Sequence, residues 1–384
     1  MHNSDTVTGH EFLSKLKSRS DKKTVSFDKL YNQLDKKARA RGIPMNGQFE
    51  LTPLCNFDCR MCYSHLTKDQ MLGDPLLSVE QWKQIIDEAY AVGLMRVTLT
   101  GGECLTYPGF KELYLYIHSL GCETRVLTNG SLLDDGWISF FREHLPSLIQ
   151  VSLYGSDDDS YERVTGHRCF SVVSANIRKA LDAKLPVSLA ITPSRYMGKG
   201  ILDTIRTAHS FGTSYYIPTF LVDPKEETGR SGQDHELDFD TYAEAYKLKN
   251  TLEGKENLSI DAELLPPPGG PHHKCELTGM KCGGGMSCFD IDWNGAMYIC
   301  NYSRSVVCHP LTEGFLPSWN KLHQIAAGWS RIPECVDCPY EPFCTECEIR
   351  KAKFGKNGQQ TPGLLCDFTR CLVQNGVYAV QDHI

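Results

Sequence analysis

The chain has 384 residues, 41% of them hydrophobic and 23% charged, with a formal net charge of −7. Such a length holds one large barrel plus a smaller domain, or two to three ordinary domains, and the acidic balance argues against a general nucleic-acid binder. No apolar run is long enough for a bilayer span, and the polar N-terminus lacks the apolar segment of a signal peptide, so a cytoplasmic protein with no membrane contact is expected.

Residues 1–46 are polar and lysine-rich, with one amphipathic helix expected at Phe27–Arg41. From Gln48 onward, apolar β-runs alternate with helix-length periodic segments. Strands are expected at Phe49–Leu54, Arg96–Thr100, Thr124–Thr128, Ile149–Leu153, Val187–Ile191 and Tyr215–Val222. Helices are expected at Val79–Tyr90, Phe110–His118, Trp137–His144, Ser171–Ala183 and Leu202–Phe211. Strand–helix alternation of this kind implies a parallel sheet with helices outside. Six units over residues 47–225 make a partial (β/α)6 TIM-like barrel, an α/β fold whose chemistry gathers at the C-terminal ends of the strands. Residues 226–270, with a polar stretch, a helix near Tyr242–Thr251 and the turn-rich PPPGGP, form a bridge. From residue 271 the chain is dense in Cys, Gly and Pro, the composition of a segment that depends on metal to fold.

Seventeen cysteines in a protein expected in a reducing compartment read as metal ligands or redox groups. Three of them, Cys55, Cys59 and Cys62, sit within eight residues just past the first strand. Thiolates are the usual ligands of iron–sulfur clusters, commonly four of them, so three leave one iron open; a zinc site with a distant fourth ligand is the other reading. Gly101-Gly102-Glu103 follows the second strand, Asn129 the third, and Ser152 ends the fourth.

The Cys55-x3-Cys59-x2-Cys62 spacing resembles the signature of the radical S-adenosylmethionine (radical SAM) superfamily, and Gly101-Gly102-Glu103 resembles its GGE motif. The resemblance implies one [4Fe-4S] cluster on the three thiols. It also implies an S-adenosyl-L-methionine site in which Glu103 offers charge to the ammonium of the methionine part. Ser152 resembles the family's ribose contact. Asn129 matches a cofactor-facing position, and a turn-forming Asn before Gly130 reads equally well there. The residue before the third cysteine, often aromatic in the family, is Met61 here. The adenine contact then falls to Phe57, to Tyr63 or to Met61 itself.

The C-terminal cysteines resemble the SPASM extension of radical SAM enzymes, which binds two auxiliary clusters. Carried over, that pattern gives Cys282, Cys288, Cys300 and Cys347 to the first and Cys335, Cys338, Cys344 and Cys366 to the second, three [4Fe-4S] clusters in all. The last short gap holds two residues instead of the family's usual three, so Cys347 is the weakest match, and Cys371 is an alternative for Cys366. Taken without the barrel, Cys335-x2-Cys338 and Cys344-x2-Cys347 would read as zinc sites. Cys104, Cys122 and Cys169 read as buried or incidental thiols, and Cys275 and Cys308 are unassigned.

The resemblance further implies an oxidoreductase that forms a 5′-deoxyadenosyl radical and, most often among SPASM relatives, acts on a ribosomally made (RiPP) peptide. Thioether or carbon–carbon crosslinking is the expected outcome. Peptide epimerisation, small-molecule dehydrogenation and formylglycine formation in sulfatases are the alternatives. Sulfatase-maturating relatives carry an aspartate after the third ligand of the first auxiliary cluster. Asn301 stands there and is not a carboxylate base. Expected partners are a peptide substrate and a flavodoxin- or ferredoxin-type reductant. Since about 46 residues before the barrel are few for a leader-binding domain, either a separate leader-binding protein or the barrel and the basic N-terminal helix themselves would bind the leader. No catalytic acid or base is assigned.

Overall fold

Strict alternation organises the sheet. In a computed structural model, Phe49, Val97, Leu99, Val126, Ile149, Val151 and Leu189 are all fully buried on one face. Their neighbours in sequence (Gln48, Glu50, Thr98, Arg125, Gln150, Ser152) point to the other. The structure describes residues 27–71, 73–218, 237–255, 280, 282–330, 335, 338, 340, 344, 349 and 364–377.

The elements follow in order. Helix α1 (Phe27–Arg41) precedes β1 (Asn46–Glu50), α2 (Val79–Ala91), β2 (Arg96–Thr100), α3 (Phe110–Ser119) and β3 (Glu123–Thr128). Next come α4 (Asp135–Glu143), β4 (Leu148–Ser152), α5 (Asp158–Thr165), α6 (Phe170–Asp182), β5 (Val187–Ala190), α7 (Ile201–Ser210) and β6 (Tyr215–Tyr216). Then follow α8 (Phe239–Leu252), β7 (Cys288–Ile291), β8 (Met297–Tyr298), α9 (Pro310–Glu313), α10 (Phe315–Ala327) and α11 (Leu364–Gln374). The sheet order is β6-β5-β4-β3-β2-β1-β7-β8, with β1 through β7 parallel and β8 antiparallel to β7. The six expected βα units are therefore present as a TIM-like partial barrel, and a hairpin from the cysteine-rich segment extends the same sheet beyond β1.

The apolar face packs on the helices. Phe49 stacks on Trp82 of α2 at 5.3 Å, and Phe289 of β7 meets Phe49, Phe315 and Trp319 at 6.1, 5.0 and 6.1 Å. Local signals set the helix ends: Ser78 and Gln81 form a capping box on α2, Asp134 and Asp157 cap α4 and α5, and Gly166 closes α5 in the left-handed conformation.

Helix α1 lies where the expected helix was placed, and it plugs the N-terminal end of the barrel. Tyr31 donates to the Asn46 side chain, the Arg96 guanidinium sits 3.5 Å above the Tyr31 ring, and the Ser287 hydroxyl donates to Asp35 at 2.7 Å. A cavity of about 210 Å³ remains between α1 and the inner face, lined by Asp35, Arg39, Gln48, Arg125, Cys288 and Asp290 among others. Among the described residues, no helix is long and apolar enough to cross a membrane.

Candidate active site

At residue Glu50 the chain leaves β1 and turns into the cysteine loop, because Pro53 lacks the N–H that a strand needs. This loop is fixed from two sides. On one, Asp58 and Arg60 donate backbone N–H groups to Thr165 and Val164 at the end of α5, at 3.1 and 3.0 Å, and Phe57 stacks on His167. On the other, the N–H groups of Gly102 and Glu103 donate to the carbonyls of Thr52 and Leu54 at 2.7 and 2.9 Å.

That second seam explains both glycines. A Cβ on Gly101 would lie 2.5 Å from the Thr52 carbonyl oxygen, and one on Gly102 would lie 2.4 Å from that of Leu54. The close approach recorded here is between the β2 loop and the cysteine loop, backbone on backbone.

Glu103 is fully buried and its carboxylate is engaged within the protein. It accepts from the Leu105 and Asn129 amides at 3.1 and 2.7 Å and from the Thr128 hydroxyl at 2.8 Å. Burial pushes its pKa up, against those three hydrogen bonds. Asn129 carries the tie onward. Its Nδ2 donates to Asn56 at 2.8 Å and lies 3.7 Å from the Cys55 sulfur, and its Oδ1 accepts from both the N–H and the hydroxyl of Ser131. The loops after β1, β2 and β3 are thus one hydrogen-bonded unit, with Ser152 at the adjacent end of β4.

The three thiols act on one another electrostatically. Burial raises Cys55 to about 12, with Glu103 and Cys62 adding to the shift, and Cys59 is raised by burial, Cys62 and Cys55. The Tyr154 hydroxyl hydrogen-bonds the Cys59 sulfur and works against that rise. Three soft sulfur donors on one loop, two of them with negative groups as their strongest charged neighbours, fit a cationic iron–sulfur core. Tyr154 and Asn56 were not singled out from sequence. The signal for Tyr154 was its place two residues past the strand end, in Val151-Ser152-Leu153-Tyr154-Gly155.

Tyr63 faces the β7–β8 hairpin. Asn301 Nδ2 lies 3.5 Å from its hydroxyl and the Arg304 guanidinium 5.9 Å from its ring, while Glu50 and Asp290 act on it from the barrel interior. Burial, then Asp292, raises Asp290 to about 7, and Arg304 and an Asn301 backbone hydrogen bond oppose that rise. Met61 is buried and Phe57 is committed to His167.

In the hairpin, Asp290 pairs with Tyr298 and Ile291 with Met297. Continuing that register sets Cys288 opposite Cys300 at its open end. Cys282 reaches the same place through a tight turn in which the Cys288 amide donates to the Gly283 carbonyl at 2.7 Å. A Cβ on Gly283 would meet the Cys288 sulfur at 2.5 Å, and one on Gly284 would meet the Cys282 sulfur at 3.6 Å. Cys282 and Cys288 thus share one turn and the hairpin register runs toward Cys300; as soft sulfur donors the three are of the type that fits iron–sulfur. Cys347 and Cys275 lie outside the described residues. Cys335 is buried; Cys338, Cys344 and Cys366 are half-buried. Cys371, on α11, is 3.9 Å from Asp240 of α8. Cys104 and Cys122 are buried, Cys104 donating to the Leu127 carbonyl at 3.1 Å.

A TIM-like parallel sheet with a three-thiol loop after its first strand, buttressed by a Gly-Gly-Glu turn after its second, defines the radical SAM class. Residues 49–208 match the model of the radical SAM superfamily, so this part of the chain is a radical SAM domain. It is 30% identical over 172 residues to the sporulation killing factor maturation protein SkfB of Bacillus subtilis (strain 168), covering 44% of this chain and 41% of that one. It is 24% identical over 323 residues to the AdoMet-dependent heme synthase of Methanosarcina barkeri (strain Fusaro / DSM 804), covering 79% and 90%. The chain thus spans less than half the length of the first relative and most of the second. Among solved structures, Streptococcus suis SuiB bound to the precursor peptide SuiA shares the fold at a TM-score of 0.64 and 13% identity, over 93% of this chain and 86% of that one. The superfamily implies a [4Fe-4S] cluster and S-adenosylmethionine.

Proposed function

We propose that this enzyme oxidises a peptide, forming a thioether or carbon–carbon crosslink, with three [4Fe-4S] clusters. The barrel takes residues 47–225, the bridge 226–270 and the SPASM domain 271–384. One observation carries the reading: the Cys288–Cys300 end of the hairpin belongs to the same sheet as the strand that leads into Cys55. A cluster held by Cys282, Cys288 and Cys300 would lie in the same fold as the barrel mouth and would supply an electron acceptor there. The maturation named for SkfB and the precursor peptide named for SuiB support a peptide substrate.

When bound, the cluster on Cys55, Cys59 and Cys62 and its S-adenosylmethionine supply a 5′-deoxyadenosyl radical, which takes a hydrogen atom from an unreactive C–H bond. The chain's own residues do the rest. Glu103 and Asn129 hold the loops after β1, β2 and β3 in register, and Gly101 and Gly102 keep the β2 loop against the cysteine loop. With Ser152 they form the S-adenosylmethionine side of the mouth. Tyr63, Asn301 and Arg304 form the opposite, hairpin side, where substrate enters. Asn301 is not a carboxylate and so does not serve as the base that formylglycine formation in sulfatases uses. A flavodoxin- or ferredoxin-type protein supplies electrons, and a separate protein presents the leader.

The test is mass spectrometry of a candidate precursor peptide co-expressed with the enzyme. Loss of two hydrogens is expected. Unchanged mass with deuterium uptake from heavy water means epimerisation instead, and conversion of a sulfatase peptide to formylglycine rejects the reading. The long match to the heme synthase favours a second reading, oxidation of a small molecule. Turnover of a tetrapyrrole without any peptide would establish it.

A further inference from the structure

Helix α1 does more than close the barrel floor. Its Asp35 and Arg39 form an ion pair at 2.7 Å. Asp35 is anchored to the hairpin side by the Ser287 hydroxyl at 2.7 Å and to β1 by Asn46 Nδ2 at 3.3 Å. Arg39 reaches the other flank of the same turn: its Nη2 lies 3.5 Å from where a Cβ on Gly283 would stand, the point that is itself 2.5 Å from the Cys288 sulfur. Arg39, Asp35 and Cys288 line one cavity, which continues inward to Asp290. A carboxylate and a guanidinium are thus fixed beside the Cys282–Cys288 turn by a helix that supplies no ligand.

We infer that the Asp35–Arg39 pair of α1 sets the reduction potential of the first auxiliary cluster. This rests on the reading of Cys282, Cys288 and Cys300 as cluster ligands. Reduction adds one electron to the cluster and so one negative charge to the site. A cation nearby stabilises the reduced form and an anion destabilises it, and the low-dielectric interior strengthens both effects. Because the two charges act with opposite sign, neutralising each one alone moves the potential in opposite directions. Loss of the helix packing would instead move both variants the same way.

The experiment is an EPR-monitored potentiometric titration with dithionite, on full-length protein in which Cys55, Cys59 and Cys62 are all changed to Ala, so that only auxiliary clusters contribute. Adding Arg39→Gln is expected to shift one cluster signal to more negative potential. Asp35→Asn shifts the same signal to more positive potential, Arg39→Lys leaves it near the parent value, and the second cluster's signal stays put in all three. Unmoved signals, or shifts of the same sign in Arg39→Gln and Asp35→Asn, overturn the inference. If Arg39→Gln does not fold, a positive shift in Asp35→Asn beside an unmoved signal in Arg39→Lys supports the inference, and an unmoved or negatively shifted signal in Asp35→Asn overturns it. Absence of any iron–sulfur signal in the parent triple variant overturns the cluster reading itself, and the inference with it.

Discussion

The buried Glu103 carboxylate accepts the backbone N–H of Asn129 at 2.7 Å, joining the loop after β2 to the loop after β3. With Thr128 and Leu105 also donating, three hydrogen bonds converge on one charge inside the protein. Glu103→Gln places an amide NH2 against these donors and leaves at least one unsatisfied. The expected cost is about 1–3 kcal/mol, read as a lower Tm together with loss of 5′-deoxyadenosine formation. A Tm at or above that of the parent would contradict this arrangement.

Gly102→Ala tests the seam between the two loops. The added methyl would sit 2.4 Å from the Leu54 carbonyl oxygen, and backbone has to move to admit it. Overpacking of this kind costs about 1–3 kcal/mol, and the displaced Cys55–Cys62 loop should hold less iron. Measured iron equal to the parent, with undiminished S-adenosylmethionine cleavage, would show that the close approach is dispensable.

Tyr154→Phe removes the hydroxyl that bonds the Cys59 sulfur and leaves the ring in place. Hydrogen bonds to cluster sulfurs make reduction easier. The expected outcome is full iron content, a catalytic-cluster potential shifted to more negative values, and slower S-adenosylmethionine cleavage with dithionite. A potential identical to the parent's would mean that the bond does not act on the cluster.

Phe289 is fully buried between β1 and α10. Phe289→Ala should cost about 3–5 kcal/mol. Because its neighbours Phe49 and Trp319 lie in the barrel and in the C-terminal segment, one cooperative transition should shift, whether followed by far-ultraviolet or by tryptophan signals. Two separated transitions would argue for independent units.

The barrel was legible because each of its strands carries its own apolar alternation, and α1 because its periodicity is complete within Phe27–Arg41. The first strand was placed too late in the chain. The run Leu51–Leu54 is apolar but contains Pro53, while Asn46 and Gly47, poor strand formers alone, are held in the sheet by pairing with β2 and β7. Helix α5 was missed because Asp-Asp-Ser-Tyr-Glu-Arg-Val-Thr buries few apolar side chains, and its stability comes from the Asp157 cap and from Tyr161 and Val164 in the core. In the site, the cysteines and the Gly-Gly-Glu turn were evident from type and spacing. The interior engagement of Glu103 was not, because its partners are backbone amides and a threonine on other loops. Nor was the orientation of Tyr63 toward Asn301 and Arg304, which depends on the hairpin joining the sheet.

That hairpin carries a practical consequence. β7 covers the edge of β1, from the Asn46–Cys288 pair to the Phe49–Ile291 pair. A fragment stopping at residue 280 would leave the backbone N–H and C=O groups on this edge of β1 unpaired by β7, and an uncovered strand edge invites self-association. Barrel-only fragments are therefore expected to be insoluble, and complementation by two co-expressed halves to succeed only when β7 travels with the second half. Any fusion or domain exchange in this protein has to respect a boundary that runs through a sheet rather than through a linker.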